Sequence, residues 1–328
     1  MTDHVKFFTT SKVPADYSNR ITEITLAYET YGRLNHTNDN AILIIHGFSS
    51  DSHVASHNIN DVPGWWEWAV GPDKPLDTNK YYIVCANNFG SCFGSTGPVT
   101  PPPSIADIVF CQQKLQEELG IDKWYAVIGG SLGGMAVLEW IALYPENIQR
   151  AVCLNAGAKL SFMGQGLADI QQELIRSVPD KGFNLARCLA NLSYVGEEFF
   201  TEQQLENPDW RLNDFLEEES AMFVERFNCN SYLSFLQAMR SYDLTLWNSP
   251  LAKCLSKPRV FLVGCKEDIL FPLSIMEETK LRLNTFVEVN LKIVHSKYGH
   301  DAFLMDELQY GEVIKKIISK KASESSEA

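Results

Sequence analysis

The stretch YAVIGGSLGGM, residues 125–135, decides how this chain is read. A β-branched, apolar run (Ala126, Val127, Ile128) enters Gly129-Gly130-Ser131-Leu132-Gly133, and an apolar helical pattern follows through Tyr144. That order is strand, sharp turn, helix, with a serine at the apex. Gly-x-Ser-x-Gly at such a junction is the pattern of a nucleophile elbow. The serine there sits in a strained backbone conformation, and flanking Cβ atoms would collide where strand and helix converge. The first turn of the helix also leaves backbone N–H groups free beside Ser131, ready for a developing negative charge. The alternative is a glycine-rich turn carrying an inert serine, since short motifs recur by accident.

Working outward, Ala41–Ile45 (AILII) is a continuous apolar run of the kind a strand buried on both faces requires, and it ends in His46-Gly47-Phe48. Tyr81–Ala86 and Ala151–Ala156 repeat that texture. Between them, Ser104 is an N-cap for a helix over Ile105–Leu119, closed by Gly120. Residues 1–20 read as polar and irregular, Ile21–Arg33 alternates as a strand does, and 64–77 is an aromatic, turn-rich loop. From Gly157 to Pro250 the texture becomes helical, acidic and aromatic, most clearly over Leu212–Arg226 and Tyr232–Leu246. Strand and helix patterns then resume: Arg259–Val263, Leu273–Leu283, Val287–Val294 and Met305–Ser319.

Alternating strands and helices predict an α/β fold, a mostly parallel sheet covered by helices on both faces. The expected division is a core of residues 1–157 and 251–320, a helical cap or lid over 158–250, and a disordered polar tail at 321–328. Ligands of open α/β sheets bind at the carboxyl ends of the strands, so this lid would cover Ser131.

Composition bounds the partners. The 328 residues carry a formal charge of −13, which argues against nucleic acid or an anionic membrane surface. An anionic substrate would have to be held by a few local cations. No apolar run approaches the roughly 20 residues of a membrane span, and the first residues lack the basic-then-apolar layout of a signal peptide, so a cytoplasmic protein is expected. The eight cysteines show no CxxC pair and read as small buried hydrophobes, not as a disulfide frame or a zinc site. No metal site is expected: His53 and His57 are four apart but sit in a turn-rich loop.

A serine hydroxyl needs a base in hydrogen-bond reach, and that base needs an orienting acid. With this elbow, the acid and then the histidine follow the serine in the chain, on loops after late strands. The only histidines beyond Ser131 are His295, at a strand end, and His300, in the loop after it. His300 is the expected general base and acid, with Asp268, on the loop after 259–263, as its orienting carboxylate and Glu267 as the rival. The expected oxyanion donors are the backbone N–H groups of Leu132 and Phe48.

Several segments together resemble the homoserine O-acetyltransferase type of acyltransferase, within the α/β-hydrolase superfamily. They are Asp51-Ser52-His53-Val54-Ala55, Gly64-Trp65-Trp66, Leu76-Asp77-Thr78, Gly94-Ser95-Thr96-Gly97-Pro98, the elbow, Leu185-Ala186-Arg187, Ser193-Tyr194, Arg226-Phe227, Asn230-Ser231-Tyr232-Leu233 and Gly299-His300-Asp301-Ala302-Phe303-Leu304. One departure is the family's usual His-Ala-Leu-Thr-Gly loop, which reads His46-Gly47-Phe48-Ser49-Ser50 here.

The resemblance implies a ping-pong transfer, through a Ser131 acyl-enzyme, from acyl-CoA (acetyl-CoA or succinyl-CoA) to the hydroxyl of L-homoserine, a step of methionine biosynthesis. Acyl-CoA is then a co-substrate, and no cofactor stays bound. It also implies a homodimer formed through the cap helices, and substrate contacts from Arg187, Asp301 and Tyr194. A planar guanidinium suits an α-carboxylate, and a carboxylate suits an α-ammonium. Alternatives are an ordinary helix cation for Arg187 and a helix N-cap for Asp301. At the level of function they are an esterase or thioesterase with the same three residues, transfer to serine, or a non-catalytic binding protein.

Overall fold

The computed structural model describes residues 4–246 and 249–319, so the expected tail at 321–328 lies outside the described residues. Ten strands and ten α-helices occur among them. The first strands are β1 (Lys6–Thr10), β2 (Ile24–Tyr31), β3 (Ala41–Ile45), β4 (Val70–Gly71), β5 (Leu76–Asp77) and β6 (Tyr82–Ala86). Then come α1 (Ile105–Glu118), β7 (Ala126–Gly130), α2 (Leu132–Leu143) and β8 (Arg150–Leu154). Five helices follow without a strand: α3 (Phe162–Ser177), α4 (Gly182–Tyr194), α5 (Glu197–Glu206), α6 (Leu212–Arg226) and α7 (Cys229–Ser241). The chain closes with β9 (Arg259–Cys265), α8 (Leu273–Asn284), β10 (Val289–Val294), α9 (Ala302–Met305) and α10 (Glu307–Ser319).

Eight strands form one sheet in the order β1-β2-β6-β3-β7-β8-β9-β10. From β6 to β10 every pairing is parallel, and β1–β2 and β2–β6 are antiparallel. Period-two alternation sorts the side chains. Ala41, Leu43 and Ile45 of β3 enter the apolar layer shared with α1 and α2, whereas Ile42 and Ile44 enter the layer under α10. Each isoleucine taken fully out of water contributes roughly 1.5–3 kcal/mol. This is why an unbroken AILII segment occupies the centre of the sheet. The α2 helix, apolar at every position but Glu139, lies largely buried behind the elbow.

Four expectations change. Residues 1–20 are not wholly irregular: β1 pairs with β2 along Lys6–Thr10, an exposed edge without an apolar stripe to reveal it. The loop at 64–77 contains the short parallel pair β4–β5. The helix expected over Tyr232–Leu246 runs from Cys229 to Ser241, because the Asn228 side chain caps it by accepting from the N–H groups of Asn230 and Ser231. The last amphipathic helix is broken between Met305 and Glu307. No helix among the described residues is long and apolar enough to cross a membrane.

Candidate active site

The elbow forms where the sequence places it. Ser131 has φ +56° and ψ −124°, a conformation that L residues rarely adopt. Its neighbours explain how it is held. A Cβ on Gly133 would lie 2.1 Å from the Ile45 carbonyl oxygen, and one on Gly130 would lie 2.4 Å from the Phe303 ring. Strand β3, helix α2 and helix α9 therefore close on the serine at glycine-only distances. The Ser131 N–H donates to the Leu154 carbonyl, which ties the turn to β8.

His300 Nε2 lies 2.8 Å from Ser131 Oγ, and His300 Nδ1 lies 2.8 Å from Asp268 Oδ2. All three residues are buried: Ser131 is 6% exposed, His300 3% and Asp268 2%. A neutral imidazole whose Nδ1–H donates to Asp268 turns its Nε2 lone pair toward the hydroxyl. The second oxygen of Asp268, Oδ1, accepts from the N–H groups of Leu270 and Phe271 at 2.8 and 2.9 Å, so its carboxylate is fixed from both sides. Burial pulls the His300 pKa down, but the Asp268 carboxylate outweighs it, and the ring is held above the ordinary histidine value. Glu267, the rival acid, faces elsewhere: it accepts from the Ser296 N–H and lies 3.3 Å from exposed His295.

Three supports escaped the sequence reasoning. Asn155, at φ +43° just after β8, donates through Nδ2 to the Gly299 and His300 carbonyls at 3.2 and 2.8 Å and so pins the histidine loop. The Phe271 ring stacks on His300 at 5.7 Å. Buried His46 accepts at Nε2 from the Asn88 N–H, so its Nδ1 carries the proton and donates to the Gly47 carbonyl at 2.7 Å. That bond orients the Gly47–Phe48 peptide, whose N–H is the expected oxyanion donor. A glycine-to-alanine Cβ at position 47 would fall 4.0 Å from Ser131 Cβ, so this peptide borders the serine. Asn155 and His46 work through backbone groups, which leave no side-chain pattern in a sequence, and the Phe271 ring meets His300 only once the fold is formed.

Above the serine lies a cavity of about 40 Å³ lined by Phe48, Ser131, Leu160, Leu167, Tyr194 and Met239, among others. Helices α3, α4 and α7 contribute to its walls. The Phe48 ring packs edge-on against Tyr232 and Phe235, which closes the cavity toward α7.

Arg187, on α4, lies with its guanidinium 4.1 Å from the Phe223 ring and 5.3 Å from the Tyr194 ring, and Nη1 donates to Tyr194 Oη at 3.4 Å. Its Nε is buried and makes no hydrogen bond. Arg226 sits over the same Phe223 ring at 5.1 Å, and its Nη1 donates to the Ser49 carbonyl. Among the described residues neither arginine forms an ion pair. Asp301 occupies the N-cap position of α9, yet its side chain makes no capping bond. Burial raises its pKa, against the pull of His300 and Arg187. Tyr194 stands 5.8 Å from the His300 ring, between the arginine and the histidine. The sequence-expected residues Ser131, Asp268, His300, Arg187, Asp301 and Tyr194 thus converge, with Leu132 and Phe48 beside the serine.

A family profile described as the alpha/beta hydrolase fold matches residues 40–306. Homoserine O-acetyltransferase of Methanosphaera stadtmanae is 34% identical over 349 residues, covering 93% of this chain and 71% of that protein. The fold of homoserine O-acetyltransferase from Bacillus anthracis superposes with a TM-score of 0.84 at 22% identity, over 98% of this chain and 100% of that one. Esterase E22 superposes equally well, at 0.84 and 21%, over 96% of this chain and 99% of that one. The chain belongs to the homoserine O-acetyltransferase family of α/β-hydrolase-fold enzymes.

Proposed function

We propose that this enzyme transfers an acetyl group from acetyl-CoA to the side-chain hydroxyl of L-homoserine, with acetyl-CoA as co-substrate and Ser131 as the nucleophile. The observation that carries the proposal is the union of a linked Ser131–His300–Asp268 set with Arg187 and Asp301, opposite charges beside it that form no ion pair among the described residues. A simple esterase needs the first part and has no use for the second. A zwitterionic amino acid uses both, its carboxylate on Arg187 near Tyr194 and its ammonium on Asp301.

The chemistry divides into two balanced halves. Ser131 Oγ attacks the thioester carbonyl as its proton passes to His300 Nε2, and the oxyanion accepts from the N–H groups of Leu132 and Phe48. Collapse breaks the carbon–sulfur bond, and the departing CoA sulfur takes the proton from His300. The homoserine hydroxyl then gives its proton to the same nitrogen and attacks the acyl-serine; collapse returns the proton to Ser131 and releases the O-acetyl product. The developing imidazolium is stabilised by Asp268 throughout.

Acetyl is preferred over succinyl because the relatives named above are acetyltransferases, and the apolar walls that Leu160, Leu167 and Met239 give the small cavity suit a short, uncharged acyl group. Residues 158–250 act as the lid, and apolar residues exposed on α3 and α4 (Phe162, Met163, Ile170, Leu185, Leu192) are the surface for a homodimer.

The test is CoA release from acetyl-CoA with and without homoserine. Acceleration by homoserine, with the O-acetyl product detected, supports transfer. Release at one rate in both conditions would leave a hydrolase.

A further inference from the structure

Outside the candidate active site, two histidines and a carboxylate converge. Glu29, on β2, is 1% exposed, and its Oε2 lies 3.0 Å from His53 Nδ1 and 2.7 Å from His57 Nε2. The three ligand atoms lie within 4.8 Å of one another. Both histidines come from the loop after β3, where their spacing of four residues has no helix to align it. The chain folds back instead. His53 N–H donates to Asp51 Oδ1, His57 N–H donates to Asp61 Oδ2, and Tyr31 stacks on the His57 ring at 4.3 Å.

The protons make this cluster unusual. His53 Nε2 lies 2.9 Å from the Val62 carbonyl oxygen, which can only accept, so Nε2 carries the hydrogen. In a neutral ring Nδ1 then presents a lone pair, and that lone pair faces a buried carboxylate oxygen at 3.0 Å. Two acceptors at that distance repel unless a positive centre joins them. Either a proton on Nδ1 or a metal ion does so. A histidine that donates one ring N–H to a backbone carbonyl while the other nitrogen faces shared donors is the arrangement of a metal ligand. Tyr31 Oη, donating to Glu29 Oε2 at 3.0 Å, completes that outer support.

We propose that Glu29, His53 and His57 form a binding site for one divalent transition-metal ion of the zinc class. Two imidazoles and one carboxylate are a ligand set for zinc, which they hold at about 2.0–2.2 Å while leaving a fourth position for solvent. Tetrahedral ligands at those bond lengths stand about 3.3 Å apart, so the contacts to Glu29 Oε2, at 3.0 and 2.7 Å, open by about 0.3 and about 0.6 Å to admit the ion. The side chains of His53 and His57 are each 13% exposed, which gives the ion a path in and the solvent ligand a place. Such an ion ties a core strand to the loop that follows His46–Ser50 and gives that loop a fixed anchor. Its role is structural, independent of the acyl-transfer proposal.

Binding displaces protons from the ligands, so affinity falls as pH falls. The test uses tag-free, chelator-treated full-length protein titrated with Zn²⁺ by calorimetry and with Co²⁺ by visible absorption. Expected are one equivalent bound, proton release that scales with the ionisation enthalpy of the buffer, and Co²⁺ bands of tetrahedral intensity. His53→Ala and His57→Ala should each weaken binding at least tenfold, and His4→Ala, whose ring stacks on His57 from outside, should leave it intact. Absence of Co²⁺ bands in the folded wild-type protein overturns the proposal and leaves a proton in the metal's place. Bands that survive in both the His53→Ala and His57→Ala proteins overturn it as well.

Discussion

An Asp268→Asn substitution removes one charge and leaves the shape of the side chain and one acceptor in place. The carbonyl oxygen of the amide can still accept from the N–H groups of Leu270 and Phe271, so the loop after β9 keeps its anchor. What is lost is the charged partner of His300 Nδ1, 2.8 Å away. During each proton transfer His300 becomes an imidazolium. With charge centres about 4 Å apart and an effective dielectric near 20, its attraction to a carboxylate is about 4 kcal/mol. At about 1.36 kcal/mol per decade, that is roughly three orders of magnitude in kcat. An amide NH₂ turned toward Nδ1 would also favour the tautomer protonated on Nε2, which cannot accept from Ser131, and this extends the expected loss toward about 10⁴.

The pH profile moves with it. Burial depresses the pKa of His300, and Asp268 is the main group that raises it. A general base must be neutral, so wild-type activity falls as the pH drops through that raised pKa. In Asp268→Asn burial prevails, and the acid limb shifts to lower pH. Steady-state kinetics of CoA release across the pH range give both readouts, and circular dichroism shows that the fold persists. A loss of less than tenfold, or an acid limb displaced upward, would refute the role given to Asp268.

Arg187→Ala should raise KM for homoserine by at least tenfold while leaving cleavage of a simple acetyl ester nearly unchanged, and equal losses on both substrates would contradict a carboxylate contact. Gly130→Ala places a Cβ within 2.4 Å of the buried Phe303 ring and should destabilise the protein by about 1–3 kcal/mol in urea denaturation; an unchanged midpoint would count against the close packing at the elbow. Glu67 pays a burial penalty, but the N–H groups of Ser56 and Gly64, with the Ser56 hydroxyl and Lys74, outweigh it and lower its pKa to about 2. Its folded-state pKa is depressed, so its contribution is present above the ordinary glutamate pKa and is lost as pH falls toward 2. The difference in melting temperature between wild type and Glu67→Gln should therefore narrow across that interval, and a pH-independent difference would contradict the assignment.

The sheet was legible because its central strands are buried on both faces. Ala41–Ile45 has the bounds expected of it, and the run begun at Ala126 extends as a strand two residues beyond Ile128, through Gly130, since an apolar run there has no other place to go. Strand β1 was not legible, because its side chains face largely into solvent and it is held to β2 by the backbone ladder and by surface bonds of Lys6 to Thr30 and Thr9 to Thr25, none of which leaves an apolar pattern. The order serine, aspartate, histidine was readable because each residue follows a strand that the sequence marks. Asn155 was not, because it acts on carbonyl groups 144 and 145 positions away, and His46 was not, because its ring is set by the Asn88 N–H, 42 positions away, before it bonds the adjacent Gly47 carbonyl. The cluster of Glu29, His53 and His57 joins residues 24 and 28 positions apart, and only the return of the loop onto β2 brings them together.

The most direct measurement is the intact mass of the protein after brief exposure to acetyl-CoA with homoserine left out. A gain of one acetyl group, mapped by peptide sequencing to Ser131, absent in Ser131→Ala and discharged when homoserine is added, is the expected result. An unmodified protein that nevertheless acetylates homoserine, or a label carried on another residue, would contradict the acyl-serine route at the centre of this account.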